Sequence, residues 1–215
     1  MLQGKEVLEK ILARLDIDAL NEMQVAFDEA AKDHPGIILI SRTGTGKTLA
    51  FLWPVFKQLD PNLRKTQALV IVPSRELALQ IEQVFRSMAT GLKVTCCYGG
   101  HLRETEENNL VEPPALIIGT AGRLADHIRR GNITVDSIET LILDEYDKSL
   151  ELGFQEEMSF IIGSLPSIKR RYLTSATSAE EIPSFIGLEN PVVLNFFTTE
   201  GDDGTRLDEG DGLQY

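Results

Sequence analysis

Basic charge is scarce in this chain. Its 215 residues hold 21 Lys and Arg against 33 Asp and Glu, for a net charge of −12. That balance excludes the broad basic surface on which electrostatic nucleic-acid binders rely. Cysteine is scarcer still: Cys96 and Cys97 are the two, and they are adjacent. Neighbouring strand side chains point to opposite faces, so the pair suggests neither a disulfide nor a metal site. Reduced thiols and a cytoplasmic protein are the expectation. His34, His101 and His127 are scattered without ligand spacing and read as surface or capping residues. No apolar run reaches the roughly 18 residues of a membrane span. Gly4-Lys5-Glu6 interrupts any signal-peptide pattern. With 42% hydrophobic residues, the chain can still bury one sizeable core.

What is present is an alternation. Short apolar segments at 37–40, 68–72, 93–97, 115–118, 140–143, 171–174 and 192–194 read as strands. Between and before them run helical patterns. One covers Lys5 to Leu15 with a stripe of Val7, Leu8, Ile11, Leu12 and Leu15; another covers Glu22 to Lys32 and stops at Pro35-Gly36. Others cover Leu49 to Leu59, Ser74 to Met88 and Ala121 to Arg130. Strands spaced by helices predict an α/β fold: a mostly parallel sheet with helices on both faces.

The run Ser41-Arg42-Thr43-Gly44-Thr45-Gly46-Lys47-Thr48 follows the strand at 37–40 and opens a helix. Strand, glycine turn with Gly-Lys-Thr, then helix is the order of a phosphate-binding loop. Gly44 and Gly46 let the backbone curl so that successive N–H groups face an anion. The helix start adds its positive dipole end. Lys47 supplies a charge for β- and γ-phosphates, and the Thr48 hydroxyl can sit on Mg²⁺. Ser41 stands where the general pattern has Gly. A plain Gly-rich turn is the competing reading.

Leu141-Ile142-Leu143-Asp144-Glu145 is an apolar strand ending in two carboxylates. In a parallel sheet the carboxyl ends of strands face the ligand crevice. Asp144 would reach Mg²⁺ through water, and Glu145 would orient or deprotonate an attacking water. The competing reading is a strand followed by a solvated acidic cap.

Asp144-Glu145-Tyr146-Asp147 resembles the Asp-Glu-Ala-Asp signature of DEAD-box RNA helicases, with Tyr146 in place of Ala. Pro73-Ser74-Arg75-Glu76-Leu77-Ala78 resembles that family's Pro-Thr-Arg-Glu-Leu-Ala. Gly99-Gly100 matches its glycine pair, and Thr120-Ala121-Gly122-Arg123 resembles Thr-Pro-Gly-Arg. Ser175-Ala176-Thr177 matches Ser-Ala-Thr, and Gln24 stands where the family's adenine-reading Gln belongs. The matches keep the family's order. They cover the first of its two RecA-like domains, here residues 1–195 with a RecA-like P-loop fold.

The resemblance implies the rest. ATP and Mg²⁺ are the cofactors. Gln24, Thr43, Gly44, Thr45, Gly46, Lys47 and Thr48 hold the nucleotide; Thr48 and Asp144 serve the metal; Lys47, Asp144 and Glu145 carry the chemistry. RNA would lie on Pro73, Ser74, Arg75, Gly99, Gly100, Thr120, Gly122 and Arg123, largely through backbone amides and helix N-termini, which need few cations. Asp147, Ser175 and Thr177 would link the two sites. For Arg75 the competing reading is an ion-pair partner within the domain; for Gly99-Gly100, Gln24 and Ser175-Ala176-Thr177 it is a turn, a solvated helix Gln and a strand-end turn. Asn21 can cap the helix that carries Gln24. Lys169-Arg170-Arg171 reads as an edge charge run. The family's adenine-stacking aromatic would lie before Met1.

Residues 196–215 are rich in Gly, Asp and Glu without period and read as an acidic linker leading to a second RecA-like domain that these residues do not include. Leu213-Gln214-Tyr215 looks like the start of a next strand. The expected function is the ATP-binding domain of a monomeric RNA helicase, poorly active by itself and away from membranes. Another P-loop ATPase class and a nucleotide-gated protein-binding module are the rivals.

Overall fold

The computed structural model describes residues 2–100, 102–177 and 182–197. Seven parallel strands form one sheet: β1 Gly36–Ile40, β2 Ala68–Val72, β3 Val94–Cys97, β4 Leu116–Thr120, β5 Thr140–Leu143, β6 Arg170–Ser175 and β7 Val192–Asn195. Their spatial order is β3-β4-β2-β5-β6-β1-β7. Every pairing is parallel. The helices are α1 Leu2–Arg14, α2 Glu22–Asp33, α3 Lys47–Gln58, α4 Arg75–Ser87, α5 Arg103–Leu110, α6 Ala121–Arg129, α7 Tyr146–Glu151 and α8 Gln155–Gly163, with a short 3₁₀ turn at Ser184–Ile186.

Both faces are covered, as strands apolar and buried throughout, such as β1 and β2, require. Alternate residues of one strand go to opposite cores. Ile37 and Leu39 join Phe27, Phe51, Leu52, Ile81, Phe85 and Tyr172 under α1 to α4. Ile38 and Ile40 join Leu124, Leu141, Met158 and Ile161 under α5, α6 and α8. Cys96 packs against the first core and Cys97 lies in the second, both as free thiols.

The inner strands are β4, β2, β5, β6 and β1. Insertion of β6 between β5 and β1 brings the carboxyl ends of three strands together, with Ile40 beside Ser175 and Leu143 beside Leu173. This also corrects one expectation. Lys169-Arg170-Arg171 does not mark an edge strand: it enters β6, inside the sheet, at the amino-terminal rim. Helices α5, α7 and α8 and the 3₁₀ turn add to those expected. His101, the tail from residue 198 and the strand start at Leu213 lie outside the described residues. Among the described residues, no helix is long and apolar enough to cross a membrane.

Candidate functional site

The turn after β1 does what its glycines allow. Gly44 and Gly46 sit at φ 78° and 92°, in the left-handed region that side chains disfavour. At Gly46 a Cβ would lie 2.6 Å from Gln24 Nε2, so the position is closed to larger residues on two counts. Ser41 is fully buried, and its hydroxyl meets that of Thr45 at 2.9 Å. The Lys47 ammonium is buried and donates to the Ser41 carbonyl at 2.7 Å.

Gln24 is buried too, which rules out the solvated reading. Asn21 caps α2: its side chain accepts from the Gln24 amide at 2.9 Å, and Gln24 Oε1 accepts from the Asn21 amide at 2.9 Å. Gln24 Nε2 donates to the Gly46 carbonyl at 3.1 Å. A primary amide has two donor hydrogens and two acceptor lone pairs, so each end keeps capacity for another partner.

A cleft of about 600 Å³ gathers these pieces, lined by Gln24, Thr43, Gly44, Gly46, Lys47, Thr48, Asp144 and Glu145. Thr45 is not on its wall; the hydroxyl turns inward to the Arg42 carbonyl as well as to Ser41. The remaining wall is largely apolar: Leu15 and Ile17 from the α1–α2 turn, and Leu77, Gln80 and Val84 from α4. Sequence reasoning missed the α4 residues, because a helical stripe normally signals core.

Asp144 is buried at the end of β5, where the Thr174 hydroxyl donates to it. Burial pushes its carboxyl up to about 6; the adjacent Glu145 charge adds to this, while Thr174 and Lys47 oppose it. Glu145 adopts a left-handed backbone, φ 51°, and its amide donates to the Thr174 hydroxyl at 2.9 Å. Such a conformation is costly for a non-glycine residue. Next along, Asp147 Oδ2 accepts from the Ser175 hydroxyl at 2.9 Å, the Ala176 amide at 3.1 Å and the Thr177 hydroxyl at 3.2 Å. Asp147, Ser175 and Thr177 thus form one hydrogen-bonded cluster joining α7 to the end of β6.

A second cleft of about 540 Å³ lies over the carboxyl ends of β2, β3 and β4. Pro73, Ser74, Arg75, Gly99, Thr120, Gly122 and Arg123 all line it. Gly100, with φ 92°, sits just behind, 3.5 Å from Arg75 Nη1 measured from where its Cβ would stand. The Arg75 guanidinium stacks 5.0 Å from the centre of the Tyr98 ring. Arg103 is a third arginine here, which the sequence did not reveal, and it pairs with Asp126 at 3.5 Å. An acidic chain therefore concentrates three arginines in one cleft.

His127 is neither a surface nor a capping residue. It is fully buried on α6, with Nε2 2.6 Å from Glu106 Oε2. The i,i+4 relation to Arg123 put it on one helix face, but its partner on α5 was unreadable from spacing. His34 does cap α2 and is exposed. Cys97, Glu106 and His127 bring ligand-type atoms within 4.8 Å of one another. A cation is disfavoured there: Arg123 lies 3.3 Å from the same carboxylate, and burial, with the Glu106 charge, pushes the Cys97 thiol far up.

The chain is similar to known proteins. A family model described as DEAD/DEAH box helicase matches residues 21–185. The ATP-dependent RNA helicase DeaD of Klebsiella pneumoniae is 37% identical over 153 residues, covering 70% of this chain and 24% of that protein. The probable ATP-dependent RNA helicase ddx27 of Dictyostelium discoideum is 34% identical over 193 residues, or 86% and 25%. The chain thus spans about a quarter of the length of the curated relatives it matches. The crystal structure of a DEAD box protein from Methanococcus jannaschii superposes with a TM-score of 0.68 at 31% identity, over 73% of this chain and 44% of that one. The α/β sheet described above is therefore a RecA-like fold.

Proposed function

Because this chain belongs to the DEAD/DEAH box helicase family, we propose that it is the ATP-binding domain of an ATP-dependent RNA helicase, one that couples ATP hydrolysis to RNA unwinding or remodelling. The observation that carries this reading is the first cleft. Its wall combines a glycine loop, a buried lysine, an adenine-competent amide and two carboxylates.

In this reading the loop amides from Thr43 to Thr48, Thr45 included, and the start of α3 bind the phosphates. Lys47 leaves the Ser41 carbonyl for the β- and γ-phosphates. Gln24 reads adenine with the hydrogen-bonding capacity left over from its cap. Glu145 orients the attacking water. Thr48 and Asp144 suit Mg²⁺: hard oxygen donors, one of them a buried carboxylate whose charge is poorly compensated by the protein. When bound, that ion would neutralise charge developing on the phosphates.

RNA is proposed to lie along the second cleft. The N-termini of α4 and α6 open there at Ser74 and Thr120, offering amides to phosphate. Gly99, Gly100 and Gly122 admit a close backbone. Asp147, Ser175 and Thr177 connect this side to Asp144. Residues 1–195 form the domain, and 196–215 lead to a second RecA-like domain, which would supply the arginines for the γ-phosphate. The protein is read as a cytoplasmic monomer, in keeping with its free thiols.

The test is ATP turnover by these 215 residues, with and without RNA, then with a second RecA-like domain of the family added. Low turnover that RNA does not raise is expected from the 215 residues, and RNA-stimulated turnover from the pair. An arginine finger is worth about 10³–10⁵ in rate, so the contrast is large. Vigorous RNA-stimulated turnover by the 215 residues alone would overturn the two-domain reading.

A further inference from the structure

We propose that Glu106 is a positioning residue for the second cleft, holding Arg123, the Tyr98–Gly99 turn and, through Tyr98, Arg75 in fixed register; the proposal rests on reading that cleft as the RNA site. Glu106 belongs to α5 and is 1% exposed. Its Oε1 accepts from the Tyr98 amide at 2.7 Å. Its Oε2 accepts from Arg123 Nη1 at 3.3 Å and stands 2.6 Å from His127 Nε2. One buried carboxylate thus ties together the turn after β3 and the start of α6.

The histidine is itself held. Asn132 Nδ2 lies 3.0 Å from His127 Nδ1. An amide nitrogen only donates, so Nδ1 accepts and the ring proton sits on Nε2, aimed at Glu106. Asn132 Nδ2 also donates to Glu107 at 3.3 Å, which anchors the chain of bonds to α5 again. A buried carboxylate is tolerated only when such donors surround it, so the arrangement is geometrically strict.

The strictness reaches the cleft surface. Arg123, Gly99 and Arg75 all line it. Arg123 bonds Glu106 directly, Gly99 follows the residue whose amide Glu106 holds, and Arg75 stacks on that residue's ring. These groups come from α6, from the turn after β3 and from α4; Glu106 bonds the first two directly and is linked to the third through the Tyr98 ring. The lining of the first cleft shares no residue with the second.

The experiment is a titration of the isotope-labelled 215-residue chain with single-stranded oligouridylate at low salt, followed by NMR, beside calorimetry with ADP. Glu106→Gln keeps the volume and removes the charge. It should weaken RNA by about tenfold, the scale of a lost charge-assisted bond, and leave ADP affinity unchanged. Added to Arg123→Ala it should cost little more, since coupled sites are not additive. The ¹⁵N shifts of His127 should report the Nε2–H tautomer in both proteins, since Asn132 still donates to Nδ1, while the Nε2–H proton resonance should move upfield in Glu106→Gln as its bond loses the carboxylate charge. Should that variant fail to fold, Glu106→Asp, which draws the charge back by one methylene, must show the same RNA-specific loss. Equal or tighter RNA binding by the Glu106 variants, as expected if the acid merely offset Arg123, would overturn the proposal. So would additive losses in the double variant. RNA binding that is absent in the wild type, or unchanged in Arg123→Ala, would instead defeat the reading of the cleft itself.

Discussion

Lys47 donates its ammonium to the main-chain carbonyl of Ser41 at 2.7 Å, folding the lysine of the glycine loop back onto the exit of its own strand. On the proposed reading, an arriving phosphate would have to win that ammonium from a neutral acceptor, an exchange that a doubly charged oxygen cluster favours. Lys47→Ala should take ADP binding below detection by calorimetry. The fold should stay intact with a melting temperature only a few degrees lower, because the buried Ser41 carbonyl loses a partner but no apolar cavity opens.

Asp144 gives a pH dependence of opposite sign to the usual carboxylate. Its folded value, about 6, lies above the ordinary ~4 of an unfolded aspartate. The folded state therefore holds the extra proton between these values, and stability falls as pH rises through the window. Above it, the buried charge costs about 2–3 kcal/mol. Asp144→Asn keeps an acceptor for Thr174 and removes that charge. In urea it should stabilise the protein by about 2 kcal/mol at pH 8, with the gain vanishing toward pH 4. A gain independent of pH would show that the charge is not the cause.

Gln24 serves two masters, and its removal should show both. Gln24→Ala breaks the reciprocal cap with Asn21 and the bond to the Gly46 carbonyl. Denaturation should register a loss of about 1–2 kcal/mol. Any preference for ADP over GDP should disappear with it. A base preference that survives would point to the apolar wall of Leu15, Ile17, Leu77 and Val84 instead.

Gly119, the fourth residue of β4, is a packing constraint rather than a hinge. A Cβ there would lie 2.4 Å from the Cys97 carbonyl and 2.9 Å from Leu124. Gly119→Ala should destabilise by about 1–3 kcal/mol, because backbone and core must both shift. Gly122→Ala, which meets nothing within 4 Å, should leave stability almost unchanged.

The parts legible in the sequence are those set by local chemistry. A strand, a glycine turn and a helix start are contiguous from Gly36 to Lys47, so their order is written along the chain. The strands are short apolar runs because parallel sheets bury both faces. What escaped reading is set by distant packing. Helix α5, Arg103–Leu110, is polar almost throughout and carries no stripe. His127 was misread because Glu106 lies 21 residues away and meets it only after α5 and α6 fold onto the sheet. Leu77 and Val84 pass for core positions, and they become cleft wall only because α4 borders the glycine loop.

Uniform strand direction has a practical consequence. From Thr43 through Thr177 the candidate residues sit at or just after a strand's carboxyl end, and Gln24 on α2 reaches that same rim through Gly46, so the other rim, at Gly36, Thr140 and Arg170, carries none of them. Exposed Lys169 stands there, held by Glu139 at 2.6 Å. A chain tethered to a surface through that position would present both clefts outward in every copy, so that the proposed nucleotide and RNA binding could be tested on single molecules without the anchor intruding.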